Sequence, residues 1–85
     1  MPYIKQDKRY SAKQNPSNEG ELNFVISSTI DAYIQEKGMC YATLNEVIGV
    51  LECAKLELYR RVAAPYEDRK AVLNGEVYTS VHGEK

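Results

Sequence analysis

The fold of this chain is decided by residues 44 to 62, which read LNEVIGVLECAKLELYRRV. On a helix that turns about 100° per residue, the larger apolar side chains of this stretch fall on one broad arc with Lys55 near its centre. The arc contains Leu44, Val47, Ile48, Leu51, Ala54, Leu58, Tyr59 and Val62. A second, smaller stripe of Gly49, Cys53 and Leu56 lies on the other side of the helix. One neighbouring helix cannot cover both surfaces, and in a chain of 85 residues the surplus predicts self-association.

A first helix is predicted over about residues 21 to 37. Apolar residues recur there at helical spacing from Leu22 to Ile34, and Gly38 is placed to end the helix. Phe24 lies off this apolar face, so it must meet the N-terminal segment or another subunit, or remain exposed. Together with a second helix over about residues 44 to 63, this pattern predicts a mainly α fold, an antiparallel helical hairpin that assembles as a homo-oligomer.

The ends of the second helix follow from local signals. Thr43 and Glu46 have the spacing of a capping box, which predicts that the helix starts at residue 44. Pro65 has no amide proton with which to continue the hydrogen-bond ladder, and it disfavours helical geometry at the residue before it. We therefore expect a kink or break after Ala63.

The two ends of the chain carry weaker signals. The first 18 residues are polar and contain two of the three prolines, so we expect an extended N-terminal arm over residues 1 to 18. A short C-terminal helix is predicted over about residues 65 to 73. Residues 76 to 81 alternate like a short terminal strand, and residues 82 to 85 are expected to be frayed.

Composition restricts the class of protein. A chain of 85 residues forms a single small domain, here residues 1 to 85. The net charge of −1, from 11 basic and 12 acidic residues, argues against non-specific nucleic-acid binding. Cys40 and Cys53 cannot supply a disulfide framework, and the sequence shows neither a signal peptide nor a membrane-spanning run. We therefore expect a reduced, cytoplasmic protein that does not enter a membrane.

Lys55 is the first candidate ligand-binding residue, because it lies among apolar neighbours and burial of an unpaired ammonium group is costly. One interpretation is that Lys55 snorkels past Tyr59 or pairs with Glu52 or Glu36. The other is that Lys55 projects into a pocket between subunits and binds an anionic ligand.

The remaining candidates interleave aromatic rings with guanidinium groups. They are Tyr59, Arg60, Arg61, Tyr66 and Arg69. Such residues can stack on a base and bind a phosphate. The alternative is ordinary helix electrostatics, in which Glu57 pairs with Arg61 while Glu67 and Asp68 pair with nearby arginines.

The sequence gives little support to catalysis. His82 is the only histidine and lies in the C-terminal tail, so no cluster of metal ligands and no nucleophile with its base can be assembled from one chain. No glycine-rich phosphate loop or dinucleotide fingerprint is present. We expect a protein that is not an enzyme and has no metal or cofactor.

Four motifs carry a resemblance to a family of small uncharacterised phage and prokaryotic proteins. They are MPYIK at residues 1–5, GELN at 20–23, GxLExAKLExYRRVxAPYED at 49–68 and NGxVY at 74–78. The resemblance covers most of the chain and implies no activity. In size, paired helices and Lys, Tyr and Arg chemistry, the chain also resembles the helical-hairpin sponge proteins of phages, which sequester cyclic-nucleotide immune signals between subunits.

Three functional hypotheses follow. The first is a homo-oligomer, encoded by a phage and acting against host defence, that sequesters an anionic nucleotide-type ligand through the six candidate residues above. The second is a protein-interaction module that binds or inhibits a host or phage protein and needs no small ligand. The third is a regulator associated with nucleic acid through the basic N-terminal arm, which the overall charge makes the weakest of the three.

Overall fold

A computed structural model describes residues 1–81, and these residues are mainly helical. The elements are a 3-10 turn (Gln6–Lys8), α1 (Arg9–Gln14), α2 (Glu19–Lys37), α3 (Tyr41–Leu58), a π-helical turn (Tyr59–Ala63), α4 (Ala64–Asn74) and a 3-10 turn (Thr79–Val81). The predicted mainly α class is therefore confirmed. Residues 82 to 85, expected to be frayed, lie outside the described residues.

Helical elements alone occur within residues 1–81, so the predicted terminal strand was wrong. Its last residues form the 3-10 turn Thr79–Val81. Just before that turn, the carboxylate of Glu76 accepts hydrogen bonds from the backbone amides of Val77, at 3.0 Å, and Tyr78, at 2.9 Å. These local bonds use the two N–H groups that a strand ladder would have needed.

The chain divides into two compact units, Met1–Val47 and Ile48–Lys85, with the division inside α3. Each unit is described by itself below. The antiparallel hairpin of the two long helices stays a prediction.

In the first unit, α1 lies against α2. Ala12 on α1 is 0% exposed and is the one fully buried apolar residue among residues 1–80. The guanidinium group of Arg9 lies 5.1 Å from the ring centroid of Phe24, and the ammonium group of Lys13 lies 5.9 Å from it. The N-terminal segment therefore covers Phe24, which is one of the alternatives predicted for this residue.

The N-terminal arm is not extended throughout, since it contains the turn Gln6–Lys8 and α1. The side chain of Arg9 fixes the segment before these elements, because its Nε donates to the carbonyl of Ile4 at 3.2 Å. Arg9 and Lys13, two cations of the basic arm, thus contact the ring of Phe24 within the same chain.

Side-chain caps with the residue spacing of a capping box start α2. The side chain of Asn18 accepts from the backbone amide of Glu21 at 2.9 Å, and the Glu21 carboxylate accepts from the amide and hydroxyl of Ser17 at 3.0 and 2.9 Å. The two hydrogen bonds from Ser17, through its amide first, lower the pKa of Glu21. Gly20 follows the cap, and a Cβ there would lie 3.4 Å from the side chain of Ile4, so the N-terminal segment approaches the first turn of α2 closely.

Gly38 ends α2 as predicted. Its φ of 106° is a conformation that favours glycine, and its amide donates to the carbonyl of Ile34 at 2.7 Å.

The predicted start of the second long helix was wrong by three residues. α3 begins at Tyr41, and its first hydrogen bond joins the amide of Leu44 to the carbonyl of Cys40 at 3.1 Å. Thr43 lies inside the helix, 5% exposed, with its hydroxyl 3.4 Å from the Cys40 sulfur. The Glu46 carboxylate, which was expected to close a capping box, accepts instead from the hydroxyl of Tyr33 at 2.8 Å.

In the second unit, α3, the π-helical turn and α4 follow one another without a gap, so the break predicted after Ala63 was wrong. Within the turn the helix is wider, and the amide of Ala64 donates to the carbonyl of Tyr59, five residues earlier. The wider turn gives room for the ring of Pro65, which would press against the carbonyl of Arg61 in a regular α-helix. Pro65 then occupies the tolerated first turn of α4.

Candidate functional site

A groove opens on the second unit where α3 passes into the π-helical turn and α4. It has a volume of about 550 Å³ and is lined by Cys53, Leu56, Glu57, Tyr59, Arg60 and Ala64. Small and apolar side chains form its walls, while Tyr59, Glu57 and Arg60 supply polar groups. The π-helical turn positions Tyr59 and Arg60, and Ala64 is the first residue after it.

Tyr59 is held by an acidic residue of α4. Its hydroxyl donates to Oε1 of Glu67 at 3.3 Å. The negative charge of Glu67 and, after it, this hydrogen bond raise the pKa of Tyr59. The phenol therefore remains protonated at neutral pH and is not poised as a base or nucleophile.

Arg60 and Arg61 share one carboxylate. Nη2 of Arg60 lies 3.3 Å from Oε1 of Glu57, and Nε of Arg61 lies 3.3 Å from Oε2 of the same residue. The pair of Glu57 with Arg61 is the one that helix electrostatics predicted. All three side chains are well exposed, so these pairs are weak and can exchange partners.

Lys55 is not buried on an apolar face. Its side chain is 68% exposed, and its Nζ lies 3.3 Å from Oε2 of Glu52, one turn earlier. This is one of the pairings anticipated for Lys55. Because water solvates the ammonium group, no buried charge requires an anionic ligand.

Tyr66 carries two cations on its ring. The guanidinium group of Arg69 lies 5.9 Å from the ring centroid and the ammonium group of Lys70 lies 5.7 Å from it. These are contacts between residues three and four apart on α4, as expected on any helix surface.

Two of the six predicted ligand-binding residues, Tyr59 and Arg60, line the groove together. Lys55, Arg61, Tyr66 and Arg69 are not among its lining residues. Cys53 and Leu56 belong to the smaller stripe predicted from the sequence, whereas Glu57 and Ala64 were not predicted as lining residues. Their spacing was the available signal, since residues 53, 57, 60 and 64 follow one another three or four apart on a helix.

The second unit is unusually apolar at its surface. Its large apolar side chains are exposed on α3, on the π-helical turn, on α4 and beyond. They are Ile48, Val50, Leu51, Leu56, Leu58, Tyr59, Val62, Tyr66, Val72, Leu73, Val77 and Tyr78. Exposed apolar side chains in this number are available for contact with another protein.

Within residues 1–81, no group of three or more His, Cys, Asp and Glu side chains is arranged to hold a metal ion. In the same part of the chain, no helix combines the length and the apolar character needed to cross a bilayer.

Residues 1–77 match a family described as Domain of unknown function (DUF6899). The chain belongs to this family. The match extends from the N-terminal segment through the groove residues, so both units carry the features of the family. No curated protein and no solved structure shows significant similarity to the chain. Membership of an uncharacterised family, predicted from the four motifs, is thus confirmed, while a phage origin stays a prediction.

Proposed function

We propose that this chain is the subunit of a homo-oligomeric protein-interaction module, which acts by docking apolar helical surface onto protein. The observation that carries the proposal is the apolar surface of the second unit, where side chains such as Ile48, Leu58 and Val62 are more than half exposed. Leaving such side chains in water forfeits the burial energy that stabilises a domain.

The total accessible surface supports association. It measures 7345 Å² for a chain of 9.6 kDa. A folded monomer of that mass exposes about 5,100 Å², so the surplus is about 2,200 Å². Obligate interfaces remove about 1,000 to 2,500 Å² from each partner, and the surplus lies in that range. Burial in an assembly of identical chains would remove a surplus of this size.

The state of the candidate cations also favours a protein-interaction module over a ligand-binding protein. Lys55, Arg60 and Arg61 each lie 3.3 Å from a carboxylate on their own helix. An anionic ligand would have to displace Glu52 and Glu57 from these pairs and then bind beside them. Charges of both signs beside apolar side chains instead suit a protein interface, which carries polar contacts as well as apolar ones.

Light scattering after size-exclusion chromatography tests the proposal. We expect a molar mass that is a multiple of 9.6 kDa and a melting temperature that rises with protein concentration, because association stabilises the folded subunit. A monomer at every concentration, with a melting temperature independent of concentration, would refute the proposal.

A second candidate function is the predicted sequestration of an anionic nucleotide-type ligand by Lys55, Tyr59, Arg60, Arg61, Tyr66 and Arg69. The groove supports it, because an aromatic ring and a guanidinium group lie side by side in a concavity of about 550 Å³. That volume falls within the usual range for small-molecule sites.

Thermal-shift titration with linear and cyclic nucleotides tests this second function. A ligand that binds the folded state raises the melting temperature, and Arg60→Ala should abolish that rise. The matched control is Lys5→Ala, which removes an exposed cation of the first unit and should leave the rise intact. If the melting temperature of the wild type does not respond to any of these nucleotides, the second function fails.

A further inference from the structure

We infer that a second copy of this chain docks on the groove, antiparallel to the first, so that Glu57 of each copy meets Arg60 of the other. This inference rests on the proposed function, because it names the partner and the surface of the assembly.

The groove contains a concavity and also carries larger side chains that could enter the same concavity of a second copy. Leu56 and Tyr59 line it and are 55% and 52% exposed. Cys53 and Ala64, which are small, lie at the two ends of the lining segment. Two helices can approach closely where their side chains are small, and larger residues of each then insert between those of the other. A second copy of the same helix supplies both kinds of residue at matching positions.

The charges of the groove are self-complementary. A two-fold interface brings a surface patch against itself, so a patch with charges of one sign would repel its copy. This patch carries the carboxylate of Glu57 and the guanidinium groups of Arg60 and Arg61, which are held only by exposed contacts of 3.3 Å. Exchange of these contacts across the interface leaves no charge unpaired, because each finds an equivalent partner on the other copy.

The register follows from the numbering of the lining residues. In an antiparallel pair of identical helices related by a two-fold axis, facing residues have numbers with a constant sum. The two ends of the lining segment, Cys53 and Ala64, face each other across copies when that sum is 117. The same sum pairs Glu57 with Arg60. The register that aligns the two grooves is therefore also the one that joins opposite charges.

The chain exposes enough surface for the proposed contact between two copies. A stable interface of standard size removes about 800 Å² from each partner. The surplus of about 2,200 Å² per chain exceeds this requirement, so the groove contact leaves apolar surface for further subunits or another protein. The contact is thus consistent with a dimer and with a larger assembly built from such dimers.

Cross-linking tests the register. In a Cys40→Ser background, Ala64→Cys places a second thiol opposite Cys53 of the other copy, and a short bismaleimide should join two chains. The two thiols of one chain are about 16 Å apart along the helix, beyond the reach of that reagent. Matched controls are Leu73→Cys, a substitution at an exposed position of the second unit outside the groove, and the Cys40→Ser parent with Cys53 alone.

Three outcomes are distinguishable when the mass of each variant is measured in parallel. A covalent dimer that forms with Ala64→Cys, and much less with Leu73→Cys or the parent, supports the inference. An oligomer whose cross-linking is the same in all three variants overturns the inference and leaves the proposed function standing. A monomer in all variants overturns both.

A charge exchange tests the inference without cysteine chemistry. Glu57→Arg places like charges opposite each other twice in the interface and should raise the dissociation constant at least about tenfold. The double variant Glu57→Arg with Arg60→Glu restores opposite charges and should recover most of that loss. Circular dichroism checks that the helices persist. If the double variant associates no better than the single one, the proposed register is wrong.

Discussion

The hydroxyl of Tyr33 donates to Oε1 of Glu46 at 2.8 Å, which links the C-terminal half of α2 to the second turn of α3. Both residues belong to the first unit. Glu46 therefore serves a contact between two consecutive helices and does not cap its own helix. The contact is exposed, and its consequences are measurable at high pH.

Tyr33→Phe should lower the stability of the first unit and change its alkaline unfolding. The hydrogen bond to Glu46 and, after it, partial burial raise the pKa of Tyr33. A group whose folded pKa is raised contributes stability that is complete below its unfolded pKa, about 10, and is lost as the pH rises through the folded value. Urea unfolding at neutral and alkaline pH should show that Tyr33→Phe lacks this contribution.

The control for this experiment is Tyr41→Phe. Tyr41 is 82% exposed, and its hydroxyl makes no hydrogen bond within the described part of the chain. Equal effects of Tyr33→Phe and Tyr41→Phe on alkaline unfolding would contradict the role assigned to the contact with Glu46.

Asn18→Ala should destabilise the protein by about 1 kcal/mol, since it removes the side chain that caps α2. Chemical denaturation at neutral pH measures the change. Asn45→Ala is a suitable comparison, because Asn45 lies inside α3 and alanine is the better helix former there. Loss of stability in Asn45→Ala as large as that in Asn18→Ala would argue against the capping role of Asn18.

Thr43→Val should make Cys40 less reactive. The hydroxyl of Thr43 and then its backbone amide donate to the thiolate and lower the pKa of Cys40. Without the hydroxyl the pKa rises, so a smaller fraction of the thiol is ionised at neutral pH and alkylation slows. In a Cys53→Ser background, the rate of iodoacetamide modification against pH should move to higher pH for Thr43→Val. Thr43→Ser keeps the hydroxyl and should behave like the wild type.

Two glycine substitutions should act in opposite directions. Gly49 lies in α3, and a Cβ there would meet no atom within 4 Å, so Gly49→Ala should stabilise the helix by about 1 kcal/mol. Gly38 has a φ of 106°, so Gly38→Ala should destabilise the protein by about 1 kcal/mol. Thermal unfolding compares the two, and stabilisation by Gly38→Ala would refute the account of that helix end.

The sequence was sufficient for elements fixed by local chemistry. Gly38 could be assigned to a helix end because a positive φ is a property of one residue, and the pairs of Lys55 with Glu52 and Arg61 with Glu57 follow from helical spacing. These features need no knowledge of the rest of the chain.

Features that depend on competing partners were not predictable in the same way. Thr43 and Glu46 have the residue types of a capping box, but Tyr33 takes the carboxylate and the hydroxyl lies against Cys40. Asn18 and Glu21 at the start of α2 have the same spacing, and there Asn18 does cap the helix while Glu21 accepts from Ser17, the residue before the cap. Spacing alone does not distinguish the Thr43 and Glu46 pair from the Asn18 and Glu21 pair. Whether a pair caps its helix depends on which side chains of other elements compete for its hydrogen bonds.

The candidate site was missed in part for the same reason. Proline inside a helical pattern predicts a break. Pro65 nevertheless lies in a continuous run of helix, because the turn at Tyr59–Ala63 is wider than a regular turn. Once that turn is present, Ala64 lines the groove together with Leu56. Leu56 and Ala64 are eight residues apart, a spacing that also brings residues onto one face of a regular helix, but the break predicted before Pro65 concealed this signal.

The widened turn also means that the second unit can lose one residue without losing its groove. A π-helical turn contains one more residue than the α-helical turn it replaces, so a residue after it lies about 100° from where an unbroken α-helix of the same sequence would place it. Deleting one residue between Tyr59 and Ala63 would restore the regular turn and leave Ala64 on the face that it now occupies. Straightening the turn without a deletion would instead rotate Ala64 by about 100° around the axis, so the number of residues in this turn sets which side chains line the groove.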